Sequence, residues 1–335
     1  APITLTVEQR PEDKAFLASH DSDPFSRWQA FNTLLTDATI AAFRNVLGGK
    51  QPEFSAELAE LAGRIAGDGN LEHAFRALAL ALPGEADVAR EIGKNIDPDA
   101  IFAGREALAR SIAEANSGIF SGLYGNLLTS GAFSPDAASA GRRALRNTLL
   151  DYLAVGPDGA KLAAAHFTSA TNMTDRAAAL TVLVHRHGGS AEATEALAEF
   201  DKRHRGDPLV MDKWFMIQAT APGPQAVDAV RALTQHPAFS IANPNRVRSL
   251  VGGFASANQT GFHRADGAGY TFFADMVLTV EKRNPQVAAR LATALRSWRS
   301  LEPKRQAKAR AALVSMQARE GLSADLRDII ERTLA

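Results

Sequence analysis

Cysteine is absent from this sequence, which removes disulfides and every thiolate metal site. The absence is compatible with a cytoplasmic protein, and that is the expected location. Charge of one sign is not in excess either, because 37 Lys and Arg stand against 37 Asp and Glu. Binding to nucleic acid or an anionic membrane needs clustered surplus Lys and Arg, so neither is expected. No window approaches the roughly 18 consecutive apolar residues of a membrane span. The opening Ala1-Pro2-Ile3-Thr4-Leu5 has no basic n-region, no apolar h-region and no initiator methionine. It does not read as a signal peptide, and the chain is expected to be a piece of something longer.

Catalytic motifs are missing as well. There is no H-E-x-x-H, and none of the eight histidines has another four residues on. The tightest cluster is His185-Arg186-His187, but residues i and i+2 of a helix point about 200° apart. No metal is expected on this chain, and these histidines suit the negative end of a helix dipole. There is no G-x-S-x-G. Gly118-x-x-x-Gly122 and Gly252-Gly253 follow no strand, so they read as sites of close helix packing rather than phosphate loops. The carboxylate pairs Glu57/Glu60 and Asp325/Asp328 read as solvated helix faces. So does the basic run Lys304-Arg305-x-x-Lys308-x-Arg310, which lacks aromatics for base stacking.

What is present is helical. Hydrophobic residues make up 46% of 335, enough for a continuous core. Ile3, Leu5 and Val7 alternate with threonines, as in a half-buried strand, yet no second strand comes after to pair with it. From Asp23 onward a capping residue directly followed by proline recurs, at Asp23-Pro24, Asp97-Pro98, Ser134-Pro135, Asp207-Pro208, Asn243-Pro244 and Asn284-Pro285. The first residue accepts an orphan amide and the proline gives up none that was needed. With Asn172 added, starts from Asp97 to Asn284 fall 37, 38, 35, 36 and 41 residues apart, near the length of a two-helix repeat.

Apolar stripes run between these marks at Phe25, Trp28, Phe31 and Leu35, and at Val210, Trp214 and Ile217. Glycines stand where helices should stop, at Gly156, Gly188-Gly189, Gly206 and Gly321. Short helices are expected near 58–65, 71–80 and 86–92. The predicted fold is all-α, a solenoid of about fourteen to sixteen helices in antiparallel pairs (HEAT/armadillo-like), with one orphan N-terminal strand. Residues 1–12 are expected to be a residual strand and linker, and 13–335 a single helical-repeat domain.

Two arginines carry the sharpest site hypothesis. Arg248 and Arg290 lie early in successive repeats and can project from one edge, where guanidinium groups fork onto a carboxylate. The competing reading is a structural salt bridge between helices. Arg246 is an alternative to Arg248.

Several stretches, in order, then carry a resemblance. They are Asp23-Pro-Phe-Ser-Arg-Trp28, Asn172-Met-Thr-Asp175, Leu209-Val-Met-Asp-Lys-Trp-Phe215 and Asn243-Pro-Asn-Arg-Val-Arg-Ser249. Phe262-His263 with Asp266-Gly-x-Gly-Tyr270, and Asn284-Pro-Gln-Val-Ala288 with Arg290, complete the set. Together they resemble the C-terminal helical domain of bacterial aminopeptidase N, a thermolysin-like zinc family. The likeness is densest between 170 and 320.

The resemblance implies a parent with a β saddle, a catalytic domain, a β sandwich and this domain. The zinc ligands, the G-x-M-E-N loop and the catalytic tyrosine belong to the other parts, so this chain alone is not expected to be catalytic. It implies a domain that closes over the active-site chamber and admits small peptides. The strand at Ile3–Val7 becomes the tail of the β sandwich. Arg248, Gln286 and Arg290 match the family's cavity-facing positions. The expected partners are the parent's other domains and peptide substrates. The rival reading is a free-standing α-solenoid scaffold that binds a protein in its groove.

Overall fold

The computed structural model describes residues 9–128 and 132–335. The expected strand at Ile3–Val7 lies outside them. Among the described residues the elements are helices with short connections, and the extended pairing is a single isolated bridge between Ile96 and Leu301. There are more helices than the fourteen to sixteen expected. The difference lies in short segments such as Pro244–Val247, Gly253–Ala257 and Gln259–Phe262, which count separately among the described residues.

The helix starts follow the capping chemistry. Asp23 accepts from the Ser26 amide, Asp207 from those of Leu209 and Val210, and Asn284 from that of Val287. Asn172 accepts from the Asp175 amide at 3.0 Å. Each such bond stabilises its helix by about 1 kcal/mol. Ser134-Pro135 is the exception. That helix begins at Ala137 with Asp136 as its cap, accepting from the Ser139 amide, while Ser134 Oγ donates back to Asp136. A carboxylate is the stronger acceptor and takes the cap from the upstream hydroxyl.

The chain gathers into two compact units. The first takes described residues up to Val88, with Ala100–Leu162 and Ser169–Ala178. Its core holds Phe31, Leu35, Leu61, Phe120 and Leu149, all fully buried. Burial of each such side chain stabilises by roughly 1.5–3 kcal/mol. Tyr152 stacks near Phe120 and donates its hydroxyl to the Leu80 carbonyl at 2.8 Å. The first apolar stripe therefore packs, except at its tip, where Phe25 is 63% exposed. Gly118 and Gly122 pack against nothing within 4 Å, so their expected role in close packing is not found.

The second unit takes Ala89–Asp99, Ala163–Thr168 and Ala179–Ala335. Here the second stripe packs as expected. Trp214 is 5% exposed and donates Nε1–H to the Leu197 carbonyl at 3.1 Å. Phe262 meets Phe254, Tyr270 and Phe273 edge-on at 5.2–5.8 Å between ring centres.

The basic run at 304–310 is not merely a solvated face, because Arg305 is only 3% exposed. Its Nε donates to the His263 carbonyl at 2.6 Å, and Nη1 reaches Asp97 at 3.2 Å and Glu302 at 3.4 Å. Nη2 donates to Asp99. Those acids are spread from 97 to 302, so no local pattern could announce them. Beside this hub His263 is buried, its Nδ1 2.8 Å from the Tyr270 hydroxyl. Burial, and then the Arg305 charge, push the His263 imidazole down to about 3. Burial pushes the Tyr270 phenol up.

Candidate functional site

The Asn243-Pro244 start positions the first of the expected site residues. Asn243 Oδ1 accepts from the amides of Asn245 and Arg246 at 3.0 and 3.4 Å. The helix Pro244–Val247 then widens into a π-helical turn, Arg248–Gly252, before tightening again at Gly253–Ala257. Such a turn carries one extra residue and rotates the downstream residues around the axis. Two arginines, two residues apart on this element, have opposite fates. Arg246 turns inward, donating to Asp212 at 2.7 Å and to the Pro208 carbonyl at 3.3 Å, over the Phe215 ring. It is buried and structural. Arg248 is exposed, as a rotation of about 200° demands. Its Nε donates to the Pro244 carbonyl at 3.3 Å and its Nη2 to Asn245 Oδ1.

The second wall is the Pro285–Ala292 helix. Ala288, Leu291 and Ala292 are buried, whereas Gln286 and Arg290, four residues apart, share the exposed face. Among the described residues the Arg290 side chain meets no acceptor, and neither arginine is ion-paired.

Arg248, Gln286 and Arg290 come together in the lining of one depression of about 530 Å³. Met216, Val287 and Leu291 add apolar surface, and no Asp or Glu lines it. Gly252 and Gly253 let the elements approach. A Cβ on Gly253 would lie 2.4 Å from Met216 Sδ, and one on Gly252 3.5 Å from Leu291 Cδ2. The expectation of close packing at this glycine pair therefore holds. Gln286 and Arg290 also face a second depression of about 370 Å³, whose far side carries Asp325 and Asp328. Asp328 is already engaged by Arg332 Nε at 2.8 Å.

The two guanidinium groups give this arrangement the chemistry to bind an anion. The two hydroxyls in the lining are both turned onto backbone, Ser256 donating to the Gly252 carbonyl at 2.8 Å and Thr293 to the Arg290 carbonyl at 2.7 Å. Among the described residues no three His, Cys, Asp or Glu side chains are grouped to hold a metal ion. His185, in the last turn of Met173–His187, sits with Nε2 at 3.0 Å from the Ile217 carbonyl and 3.2 Å from Thr220 Oγ1. The donor sets among the described residues therefore do not fit a zinc ion. No helix among the described residues is long and apolar enough to cross a membrane. Sequence reasoning missed Asn245 and Met216 as neighbours of the arginines. The Asn243-Pro-Asn-Arg string held the first of these in plain view.

The family described as "Domain of unknown function (DUF3458_C) ARM repeats" matches residues 11–335. The chain belongs to this family. Aminopeptidase N of Caulobacter vibrioides is 40% identical over 336 residues, covering 100% of this chain and 38% of that protein. Aminopeptidase N of Escherichia coli is 35% identical over 337 residues, with the same two shares. A crystal structure of Legionella pneumophila aminopeptidase A in complex with aspartic acid superposes with a TM-score of 0.89. Its identity is 26%, covering 100% of this chain and 39% of that one. The chain thus spans well under half the length of these relatives. It is homologous to the C-terminal part of aminopeptidase N, with an ARM-repeat-like helical fold. These relationships favour the aminopeptidase module over the free-standing scaffold.

Proposed function

We propose that the chain is the non-catalytic module of a cytoplasmic zinc aminopeptidase, and that it caps the active-site chamber and limits entry to small peptides. In this reading its partners are the catalytic and β-sandwich domains of the same parent chain. The depression lined by Arg248, Gln286 and Arg290 receives the carboxylate at the far end of a bound peptide. One observation carries the reading: two exposed arginines, neither of them ion-paired among the described residues, face a depression whose lining contains no acid. A structural salt bridge, the competing reading, requires a partner carboxylate. Arg246 has one in Asp212, and among the described residues these two have none.

Zinc, held by the parent's catalytic part, supplies a polarised scissile carbonyl and a bound water whose pKa falls to roughly 7. The residues of this chain only bind and orient. A charge-assisted hydrogen bond contributes about 1.5–3 kcal/mol when buried. For groups as exposed as these the contribution falls to about 0.2–1 kcal/mol, which corresponds to roughly 1.5–5-fold in affinity.

The test compares one short peptide with its C-terminal amide, in the aminopeptidase that contains the chain. The expected result is a higher KM for the amide in the native enzyme. Arg248→Ala and Arg290→Ala should raise KM for the acid peptide and leave the amide unchanged. With contacts equal in ground and transition states, kcat should stay flat. Identical acid-to-amide ratios in the native enzyme and both variants overturn the proposal.

A further inference from the structure

We infer that Asn245 is a positioning residue that aims the Arg248 guanidinium without neutralising it. The inference rests on the reading of the depression as a carboxylate site. It starts from the contrast between neighbours. Arg246 donates to a carboxylate, Asp212, and its charge is spent inside the fold. Arg248 is held at two points, Nε on the Pro244 carbonyl and Nη2 on Asn245 Oδ1, and both acceptors are neutral. A guanidinium has five N–H donors and no acceptor. Two are occupied in this way, and three remain for a ligand with the whole positive charge behind them.

Neutral restraint suits the task. A free arginine side chain carries about 2 kcal/mol of rotamer entropy, part of which is lost each time it closes on a ligand. Two hydrogen bonds made beforehand remove part of that cost. An aspartate in place of Asn245 would restrain the group equally, but it would compete with the incoming carboxylate for the same charge.

The side chain of Asn245 is free for this role because its backbone does the structural work. Its amide donates to Asn243 Oδ1 at 3.0 Å, and its carbonyl accepts from Ser249 Oγ at 2.9 Å. Both are backbone contacts and survive Asn245→Asp or Asn245→Ala. Asn245 is itself exposed and lies in the first turn of its helix, where an acid suits the dipole. Asn245→Asp should therefore fold, with a melting temperature at or slightly above that of the native protein.

The test uses the same acid and amide peptides in the aminopeptidase that contains the chain. Asn245→Asp should raise KM for the acid peptide nearly as much as Arg248→Ala does, roughly 1.5–5-fold, leaving kcat and the amide peptide unchanged. Asn245→Ala, which removes the acceptor and adds no charge, should raise it by a smaller factor, up to roughly 2-fold, as expected for one lost neutral restraint on an exposed group. In an Arg248→Ala background Asn245→Ala should have no further effect, since the two act as one unit. The inference is overturned if Arg248→Ala abolishes the acid preference while Asn245→Ala is silent. It is also overturned if Asn245→Ala is additive with Arg248→Ala. An acid preference untouched by Arg248→Ala removes the underlying carboxylate reading instead, so the two failures are distinguishable.

Discussion

Lowering the pH from 7 to 4.5 should destabilise the second unit through His263. In an unfolded chain the imidazole titrates near 6.5. In the folded protein burial and the adjacent Arg305 hold it neutral down to about 3. Between those two values the unfolded state binds a proton that the folded state refuses, so stability falls as pH falls. The contribution is complete above about 6.5 and is lost progressively toward 3. Each pH unit in this window costs about 1.4 kcal/mol, so at pH 4.5 the loss is on the order of 3 kcal/mol. Asp266, held at about 2 by Arg264 and the Ala268 amide, stays ionised throughout and does not confuse the reading. The assay is urea unfolding followed by circular dichroism at half-unit pH steps, for the native protein and for His263→Gln. The variant should be less stable at pH 7, because it disturbs the contact with Tyr270, but its stability should depend much less on pH between 6.5 and 4.5. Parallel curves for the two proteins would refute the reasoning, since the comparison concerns slope and is independent of any offset.

Trp214→Ala should cost on the order of 3–5 kcal/mol in the same unfolding assay, for it removes a buried indole, its bond to Leu197 and its packing on His236. Arg305→Ala should cost about 2–3 kcal/mol, less than a fully enclosed ion pair, because Asp99 remains largely hydrated. Gly269→Ala should lower the melting temperature sharply, because its Cβ would stand 2.2 Å from the Phe262 carbonyl oxygen and backbone would have to move. Gly122→Ala, with nothing within 4 Å, should instead stabilise by roughly 0.5–1 kcal/mol. Arg248→Ala and Arg290→Ala should change stability by less than about 0.5 kcal/mol, as most substitutions at exposed surface positions do.

What could be read from the sequence was whatever is decided within one or two turns of chain. Asp23, Asp207, Asn243 and Asn284 announced their helices because a cap and its proline act on amides two or three residues away. The stripe around Trp214 announced burial because helical period and packing coincide. Ser134 misled because a stronger competitor, Asp136, stood two residues on. Phe25 misled because a stripe can outrun the surface it packs against. Arg305 was illegible for a different reason. Two of its acids, Asp97 and Asp99, lie some two hundred residues upstream, and a basic run looks alike whether or not such acids arrive to meet it. The site fell between these cases. Spacing after two caps brought Arg248 and Arg290 to one edge, but periodicity cannot count the extra residue of a π turn. The division of labour between Arg246 and Arg248 therefore had to come from the structure.

The tie from Arg305 to Asp97 and Asp99 bears on how the chain is made. In an ideal repeat array each unit meets only its neighbours, and folding can spread from any point. Here a contact spans 206–208 positions, and closing so long a loop costs roughly 5 kcal/mol of chain entropy. A ribosome adding about 5–20 residues per second needs some 10–40 s to travel that distance. Throughout that interval the segment around Ile96 waits without Ser300 to accept its amide or Arg305 to meet its acids. The second unit is therefore expected to close late, after its last quarter has emerged, and a chain stopped short of residue 300 should leave the 89–99 segment open to protease.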